Sequence, residues 1–178
     1  MRQLFILLIC LYSLVASGQR YVSDSSYVDF FSSAPLEDIA AENRRSNSVL
    51  DIETGEFVFR VPIKGFEFDK SLMQEHFNEN YLESDRYPYA FFKGKLQDWK
   101  SVYGRQKVLA AGEMEIHGVR NNVEISGTID YAETAIKVET SFSVALDEYK
   151  IDKPKAVFYN IADTIEVTVY FHYDPYKK

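Results

Sequence analysis

Through the second half of the chain, hydrophobic residues fall at every other position with polar residues between them. Val108, Ala110, Gly112, Met114 and Ile116 share one face, opposite Glu113, Glu115 and His117. A tight turn at Gly118-Val119-Arg120-Asn121 leads into Val123, Ile125, Gly127 and Ile129, opposite Glu124, Ser126, Thr128 and Asp130. Ile136, Val138, Thr140, Phe142, Val144 and Leu146 form the next set, and Ile165, Val167, Val169 and Phe171 the last. A period of two with polar and apolar faces this cleanly separated predicts antiparallel strands, each with one wet face.

Earlier, Phe57, Phe59, Val61 and Ile63 alternate with Val58, Arg60, Pro62 and Lys64. After Gly65 the phase slips by one, and Phe66 and Phe68 become the apolar set. A slip at a glycine predicts a bulge or bend in the strand, and Pro62 sets that strand at an edge or beside the irregularity. Tyr89–Leu96 reads as another strand, and Tyr27–Phe31 and Val49–Ile52 as short ones.

Two stretches carry the helical period instead. Pro35 opens the first, with Leu36, Ile39, Ala40 and Asn43 on one face, Glu37 and Asp38 in its first turn and Arg44 and Arg45 in its last, as a helix dipole favours. Asp69 caps the second, whose stripe is Leu72, Met73, His76, Phe77 and Tyr81. The fold expected is therefore mainly β, with about eight antiparallel strands closed into a barrel and two short helices, since long strands in hairpin order must close to bury their apolar faces.

The first eighteen residues read as an address. Met1-Arg2 is a short basic start, Leu4–Val15 an apolar run and Ala16-Ser17-Gly18 a small-residue cleavage site, which predicts a signal peptide removed before Gln19. The run is too short for a bilayer, which takes about 20 apolar residues. Cys10 is the chain's only cysteine and lies within it. A mature chain of residues 19–178 therefore holds no disulfide, depends on its core alone and contains no second apolar stretch of membrane-spanning length. Export to the periplasm or beyond follows as an expectation.

Composition narrows the function classes. Twenty Lys and Arg against 27 Asp and Glu leave a formal charge of −7, which disfavours a phosphate-neutralising surface and so a nucleic-acid partner. Aromatic residues make up 15% of the chain, with 13 Phe and 13 Tyr, and suit strands around a large apolar interior.

No motif carries catalysis. The zinc-protease pattern, the nucleophile elbow, the phosphate loop and the dinucleotide glycines are all absent. His76, His117 and His172 are the only imidazoles. His76 with Glu79 three residues on is half a metal site, and no second histidine at helical spacing completes it. His76 reads instead as a packed helix-face residue or a polar lip at a cavity mouth. His117 reads as a turn-fixing group at a hairpin end and His172 as a solvated outer residue. Neither a catalytic residue, a metal nor a cofactor is expected.

The aromatic positions carry the stronger signal. Phe57, Phe59, Phe66, Phe68, Phe77, Phe92 and Phe142 all project to the inner side. Alternation alone leaves open whether they fill a packed core or line a cavity for a long apolar ligand.

Three runs resemble one known family. The first is Phe66–Ser84, FEFDKSLMQEHFNENYLES, followed by Tyr87–Gly94, YPYAFFKG. The second is Gly112–Val119, GEMEIHGV, a strand leading into a His-Gly-Val turn, and the third Phe142–Ile151, FSVALDEYKI. In this order they resemble the YceI-like family across most of residues 27–172. The chain departs from it at Val28–Pro35, VDFFSSAP, where many members carry a His-Ser-x-Val/Ile-x-Phe strand, and at Asp69–Leu72, where an Arg-Asp pair is frequent.

The resemblance implies a lipocalin-like eight-stranded barrel that holds a long-chain isoprenoid or similar amphiphilic lipid in a tunnel, in an exported carrier without an enzymatic step. The lining it implies here is Phe57, Phe59, Val61, Ile63, Phe66, Phe77, Phe92, Met114, Ile116, Phe142 and Val144, with Tyr81 offering a hydroxyl to a polar head. The partner expected is an apolar or amphiphilic small-molecule lipid, with a homodimer left open. The alternative is a ligand-free envelope interaction module with a packed barrel core.

Overall fold

The computed structural model describes residues 20–34, 37–152 and 161–175. The signal peptide read over residues 1–18, and Pro35 and Leu36 of the first expected helix, lie outside the described residues. Among the described residues there are ten strands: β1 (Arg20–Ser32), β2 (Ile39–Asn43), β3 (Asn47–Asp51), β4 (Glu56–Pro62), β5 (Phe66–Glu67), β6 (Tyr89–Gln97), β7 (Gly104–Ile116), β8 (Val119–Tyr131), β9 (Ile136–Ala145) and β10 (Thr164–Pro175). Eight of them close an antiparallel barrel in the order β1-β3-β4-β6-β7-β8-β9-β10, with β10 returning to β1. The closing ladder runs from Tyr21 opposite Pro175 to Phe31 opposite Glu166. Closure removes the sheet edges that long amphipathic strands would otherwise expose.

The first expected helix is a strand. Ile39, Ala41 and Asn43 are buried, with the more exposed Ala40 and Glu42 between them, so the period is two. The lower half of β1 pairs with β3 and its upper half with β2. Without β2, Val28–Ser32 would present an unpaired edge, and that tertiary demand overrides a helical spacing only a few residues long. β1 itself starts earlier than expected, at Arg20, because a bulge at Asp24 shifts its register between Ser23 and Ser25 and breaks the visible alternation.

The slip at Gly65 is a 3-10 turn at Ile63–Gly65 between β4 and the two-residue β5. Asn43, fully buried, directs it: its Nδ2 donates to the Pro62 carbonyl at 2.8 Å, and its Oδ1 accepts from the Arg45 amide at 2.8 Å and the Ser46 hydroxyl at 3.2 Å. A Cβ at residue 65 would lie 2.8 Å from Asn43 Nδ2, so only glycine fits over that amide.

Among the described residues one helix stands where two were expected: α1 (Ser71–His76), which widens into a π-helical turn at Phe77–Tyr81. Lys70, not Asp69, holds the N-cap position, without a side-chain cap. Phe77 and Tyr81 are buried and Met73 and His76 half-buried, but Leu72 of the expected stripe is exposed. Among the described residues, no helix is long and apolar enough to cross a membrane.

The β7–β8 turn is two residues long, His117-Gly118, with Ile116 opposite Val119, rather than the stretch Gly118–Asn121. Both turn residues have positive φ, 52° and 72°, which gives the primed turn whose twist matches a hairpin.

Candidate functional site

β4 and β10 line the barrel interior with Phe57, Phe59, Phe171 and Tyr173, while β6, β7 and β8 add the small residues Ala90, Ala110 and Gly127 beside larger ones such as Phe92, Met114 and Ile125. Gly94 and Gly112 sit directly opposite each other. A Cβ on Gly94 would lie 2.7 Å from the Ala111 carbonyl oxygen and 3.2 Å from the Phe57 ring. The glycines thus let two strands approach closely and leave the Phe57 ring its space.

Between these walls lies a cavity of about 180 Å³. A packed interior holds few voids larger than a water molecule, and one water needs only about 10–15 Å³ of such space, so this barrel is hollow. All twelve residues expected at the lining border this one cavity: Phe57, Phe59, Val61, Ile63, Phe66, Phe77, Tyr81, Phe92, Met114, Ile116, Phe142 and Val144. Phe68, inward-facing by pattern, sits instead outside it against Phe30 and Phe77.

Sequence reasoning left out Val28, Phe30 and Leu50 from β1 and β3, and Val169, Phe171 and Tyr173 from β10, which border the same space. Alternation within β10 marks Val169 and Phe171. Phe30 was concealed because its strand seemed to lead into a helix.

The lining is almost without polar groups. Among the described residues only Thr140, Tyr81 and Tyr173 bring oxygen-bearing side chains to it. The Thr140 hydroxyl donates to the Ser126 carbonyl at 2.7 Å and the Tyr173 hydroxyl to Ser48 Oγ at 2.8 Å. Burial raises the Tyr173 phenol far above its ordinary range and raises Tyr81 as well. Such a lumen offers hydrocarbon nothing but apolar surface, at roughly 25 cal/mol per Å² removed from water.

The two ends differ. The end holding the β3–β4 turn is stoppered by aromatic rings: Tyr131 meets Tyr21 edge-on at 6.2 Å and lies 4.8 Å from Tyr103 and 6.5 Å from Trp99. Trp99 is fixed there by its Nε1–H donating to the Ile52 carbonyl at 2.7 Å. The opposite end is covered by α1 and its π turn. There Phe77 packs on Phe30, Phe66 and Phe68 with centroids 5.0 to 5.5 Å away. A smaller cavity of about 20 Å³ lies beneath the helix, bordered by Phe30, Ile39, Phe68, Met73, His76, Phe77, Tyr81 and Ile161.

The histidines have distinct settings. His117 Nδ1 lies 3.3 Å from the Tyr149 carbonyl oxygen, and its ring meets the Tyr87 ring edge-on at 4.6 Å. With Asn121 Nδ2 donating to the Glu148 carbonyl at 2.9 Å, it pins the turn after β9 to the β7–β8 hairpin, a structural role as expected. His172 is not simply solvated: its Nδ1 is 2.8 Å from Asp24 Oδ1 on the barrel's outside. Burial alone would raise the Asp24 carboxyl, but the hydrogen bond and charge of His172 outweigh it and hold it below its usual range. Asp174 brings a third potential ligand atom within 4.8 Å of these two, although Lys137 is paired opposite His172 on the neighbouring strand. The bulge at Asp24 builds this cluster, and nothing in the sequence spacing signals it. His76 Nδ1 is buried with no hydrogen-bond partner among the described residues.

Comparison with known proteins agrees with this architecture. The YceI-like domain family matches residues 27–173. No curated protein matches the sequence. Among solved structures, a polyisoprenoid-binding domain from Saccharophagus degradans implicated in plant cell wall breakdown superposes with a TM-score of 0.76 at 14% identity, over 88% of this chain and 98% of its own. BcnA of Burkholderia cenocepacia gives 0.69 at 12% identity, over 83% and 95% of the two chains. A YceI protein of Campylobacter jejuni gives 0.59 at 12%, over 99% and 91%. At these identities the likeness is one of fold.

Proposed function

The chain belongs to the YceI-like family, and from that premise we propose that it is a binding and carrier protein for a long-chain isoprenoid or similar amphiphilic lipid, held in the barrel lumen. The observation that carries this reading is the lumen itself: about 180 Å³, bordered by aromatic and branched side chains. The polyisoprenoid-binding domain of the same fold supports the choice of ligand class. A methyl-studded chain suits such walls, because its affinity comes from apolar area and needs no charged partner.

The lumen is narrower than the roughly 300–1,000 Å³ of sites for drug-sized ligands. A long tail would therefore enter with movement of the half-buried Phe59 and Phe142 rings, which face the cavity. The carrier performs no chemical step in this reading. The few lining hydroxyls are weak acids, and Thr140 and Tyr173 donate to fixed neighbours. The first eighteen residues would direct export by a cleavable signal peptide, which N-terminal sequencing of the secreted protein would check.

The test is native mass spectrometry of the protein exported from a bacterial host, followed by organic extraction. A discrete adduct fragmenting as a polyprenyl species is expected. A fatty acid or amide would keep the carrier and change its ligand class. A clean apo mass, unchanged after incubation with prenyl lipids, would overturn the proposal in favour of a ligand-free envelope interaction module.

A further inference from the structure

The barrel closes on a seam between its first and last strands, and the outer side of that seam carries a cluster that the lumen does not use. His172 and Asp174 lie two residues apart on β10 with the fully buried Tyr173 between them, so strand geometry sets both on the outer face. Across the ladder Val22 is opposite Asp174 and Ser25 opposite His172. The register shift between Ser23 and Ser25 inserts Asp24 as an extra residue, and a bulge of this kind re-aims a side chain. Here it delivers a carboxylate to the histidine, with Asp24 Oδ1 and His172 Nδ1 2.8 Å apart. Among the described residues this is the one group of three His, Cys, Asp or Glu side chains whose ligand atoms all lie within 4.8 Å of one another.

An imidazole nitrogen and a carboxylate oxygen that share a proton at this distance need little movement to share a cation. Two donors on one zinc ion, with bonds of about 2.0–2.2 Å, stand roughly 3–3.4 Å apart. Asp174 is exposed, so a rotation of its side chain closes the remaining gap. The donor set selects the ion. Calcium and magnesium favour all-oxygen shells, whereas imidazole with carboxylate suits zinc and its first-row neighbours. Two carboxylates also match the double charge of such an ion. The His172 and Asp24 side chains are 26% and 44% exposed, which leaves water access to the open coordination positions. Lys137 of β9 works against the site: it is paired opposite His172 and exposed on the same outer face, so its charge opposes a cation held there.

We propose that Asp24, His172 and Asp174 form a surface site for a divalent transition-metal ion, zinc by preference, which clips β1 to β10 on the outside of the closing ladder. On the inner side of the same stretch the Tyr173 hydroxyl donates to Ser48 Oγ and the Ser48 amide to Ser23 Oγ, each at 2.8 Å. The ion fastens from outside a seam that these bonds hold from within. Asp24 and His172 are 148 residues apart in the chain, so the unfolded state does not assemble the site and a bound ion stabilises the fold. The site stands apart from the lumen and does not depend on what the barrel carries.

The experiment uses the protein as purified, without an affinity tag. Calorimetric titration with zinc chloride is expected to show one saturable site per chain, with calcium chloride bound about tenfold or more weakly. The thermal midpoint is expected to rise with zinc concentration. Asp174→Asn keeps the Asp24–His172 pair, and His172→Gln removes the imidazole. Each is expected to weaken zinc about tenfold or more and to remove most of the midpoint shift. Lys137→Gln, which removes the opposing charge, is expected to tighten zinc binding. Zinc bound equally by wild type and both ligand variants, calcium bound as tightly as zinc, or no saturable zinc binding would each overturn the site. Asp174→Asn replaces an exposed side chain by one of the same shape and leaves the core untouched, so it decides even if His172→Gln disturbs the seam.

Discussion

Phe30 and Phe77 stack with ring planes 18° apart and centroids 5.4 Å apart, and the pair stands between the lumen and the small cavity beneath the helix. One ring comes from β1 and the other from the π turn that follows α1. The wider π turn directs both Phe77 and Tyr81 inward, the kind of local departure from α geometry that recurs at functional sites. The covered end of the barrel is therefore closed by side chains and not by backbone.

A partition made of two rings should control exchange more than affinity. Phe77→Ala is expected to join the two cavities and speed both uptake and release of a prenyl lipid, with a smaller change in Kd. Stopped-flow transfer to lipid vesicles measures this directly. Release rates equal to wild type would place the route elsewhere on the barrel. The same change should lower stability by up to about 3–5 kcal/mol, the range for truncating a buried Phe.

A hollow barrel also predicts unequal penalties for equal truncations. Phe171 is fully buried, stacked on Phe59 at 4.9 Å and lying 5.9 Å from Tyr173. Phe171→Ala is expected to cost about 3–5 kcal/mol. Phe171 and Phe142 both border the cavity, but Phe142 is only half-buried, so its ring makes fewer contacts and has less to lose. Phe142→Ala is expected to cost about half as much or less, as read from urea midpoints at constant m. Equal penalties would argue for a lumen that closes up in solution. Phe142→Asp should abolish lipid co-purification while the β-sheet circular dichroism signal persists.

The barrel was legible because its long strands keep strict alternation: Val108–Ile116, Ile136–Val144 and Ile165–Phe171 each repeat with period two. The strand residues assigned to the lining, among them Phe57, Phe92, Met114 and Val144, border the cavity, since strand geometry fixes which face a side chain takes. What escaped had a physical cause in each instance. The polar Ser23–Ser26 stretch and the bulge at Asp24 hide the first half of β1. Ile39–Asn43 fits both periods over five residues, and only the vacant edge of β1 selects the strand. Cavity volume, the Tyr131–Trp99 stopper and the unpaired His76 nitrogen arise from distances across the barrel, which no local spacing encodes.

Gly112 should be intolerant of substitution. A Cβ there would collide with the Lys93 carbonyl and with the Gly94 Cα on the facing strand, all of it backbone, so no side chain can turn aside. Gly112→Ala is expected to force β6 and β7 apart and destabilise by at least about 1–3 kcal/mol, as overpacking does. Gly104, with φ +118° and open space around its Cα, is strained by the same substitution through its backbone alone. Comparing urea midpoints of the two alanine variants separates steric from conformational cost, and Gly112→Ala should be the more damaging.

Alkaline pH should unfold the barrel through its buried tyrosines. Burial, followed by the hydrogen bond and charge of neighbouring Tyr131, pushes the Tyr21 phenol up to about 12, and Tyr173 is raised further by complete burial. An unfolded phenol releases its proton near pH 10, whereas these two keep theirs in the fold. Between those limits the native state binds more protons than the unfolded one, so stability is full below about pH 10 and falls as pH rises. The slope is up to about 1.4 kcal/mol per pH unit for each retained proton. Urea unfolding at stepped pH should show this decline, and phenolate absorbance should show Tyr21 and Tyr173 titrating only with unfolding. Tyr173→Phe removes one retained proton and should make the slope above pH 10 less steep, while leaving the Ser48 hydroxyl without its donor. A stability profile that stayed level from pH 9 to 12 would mean that both hydroxyls reach water in the native barrel.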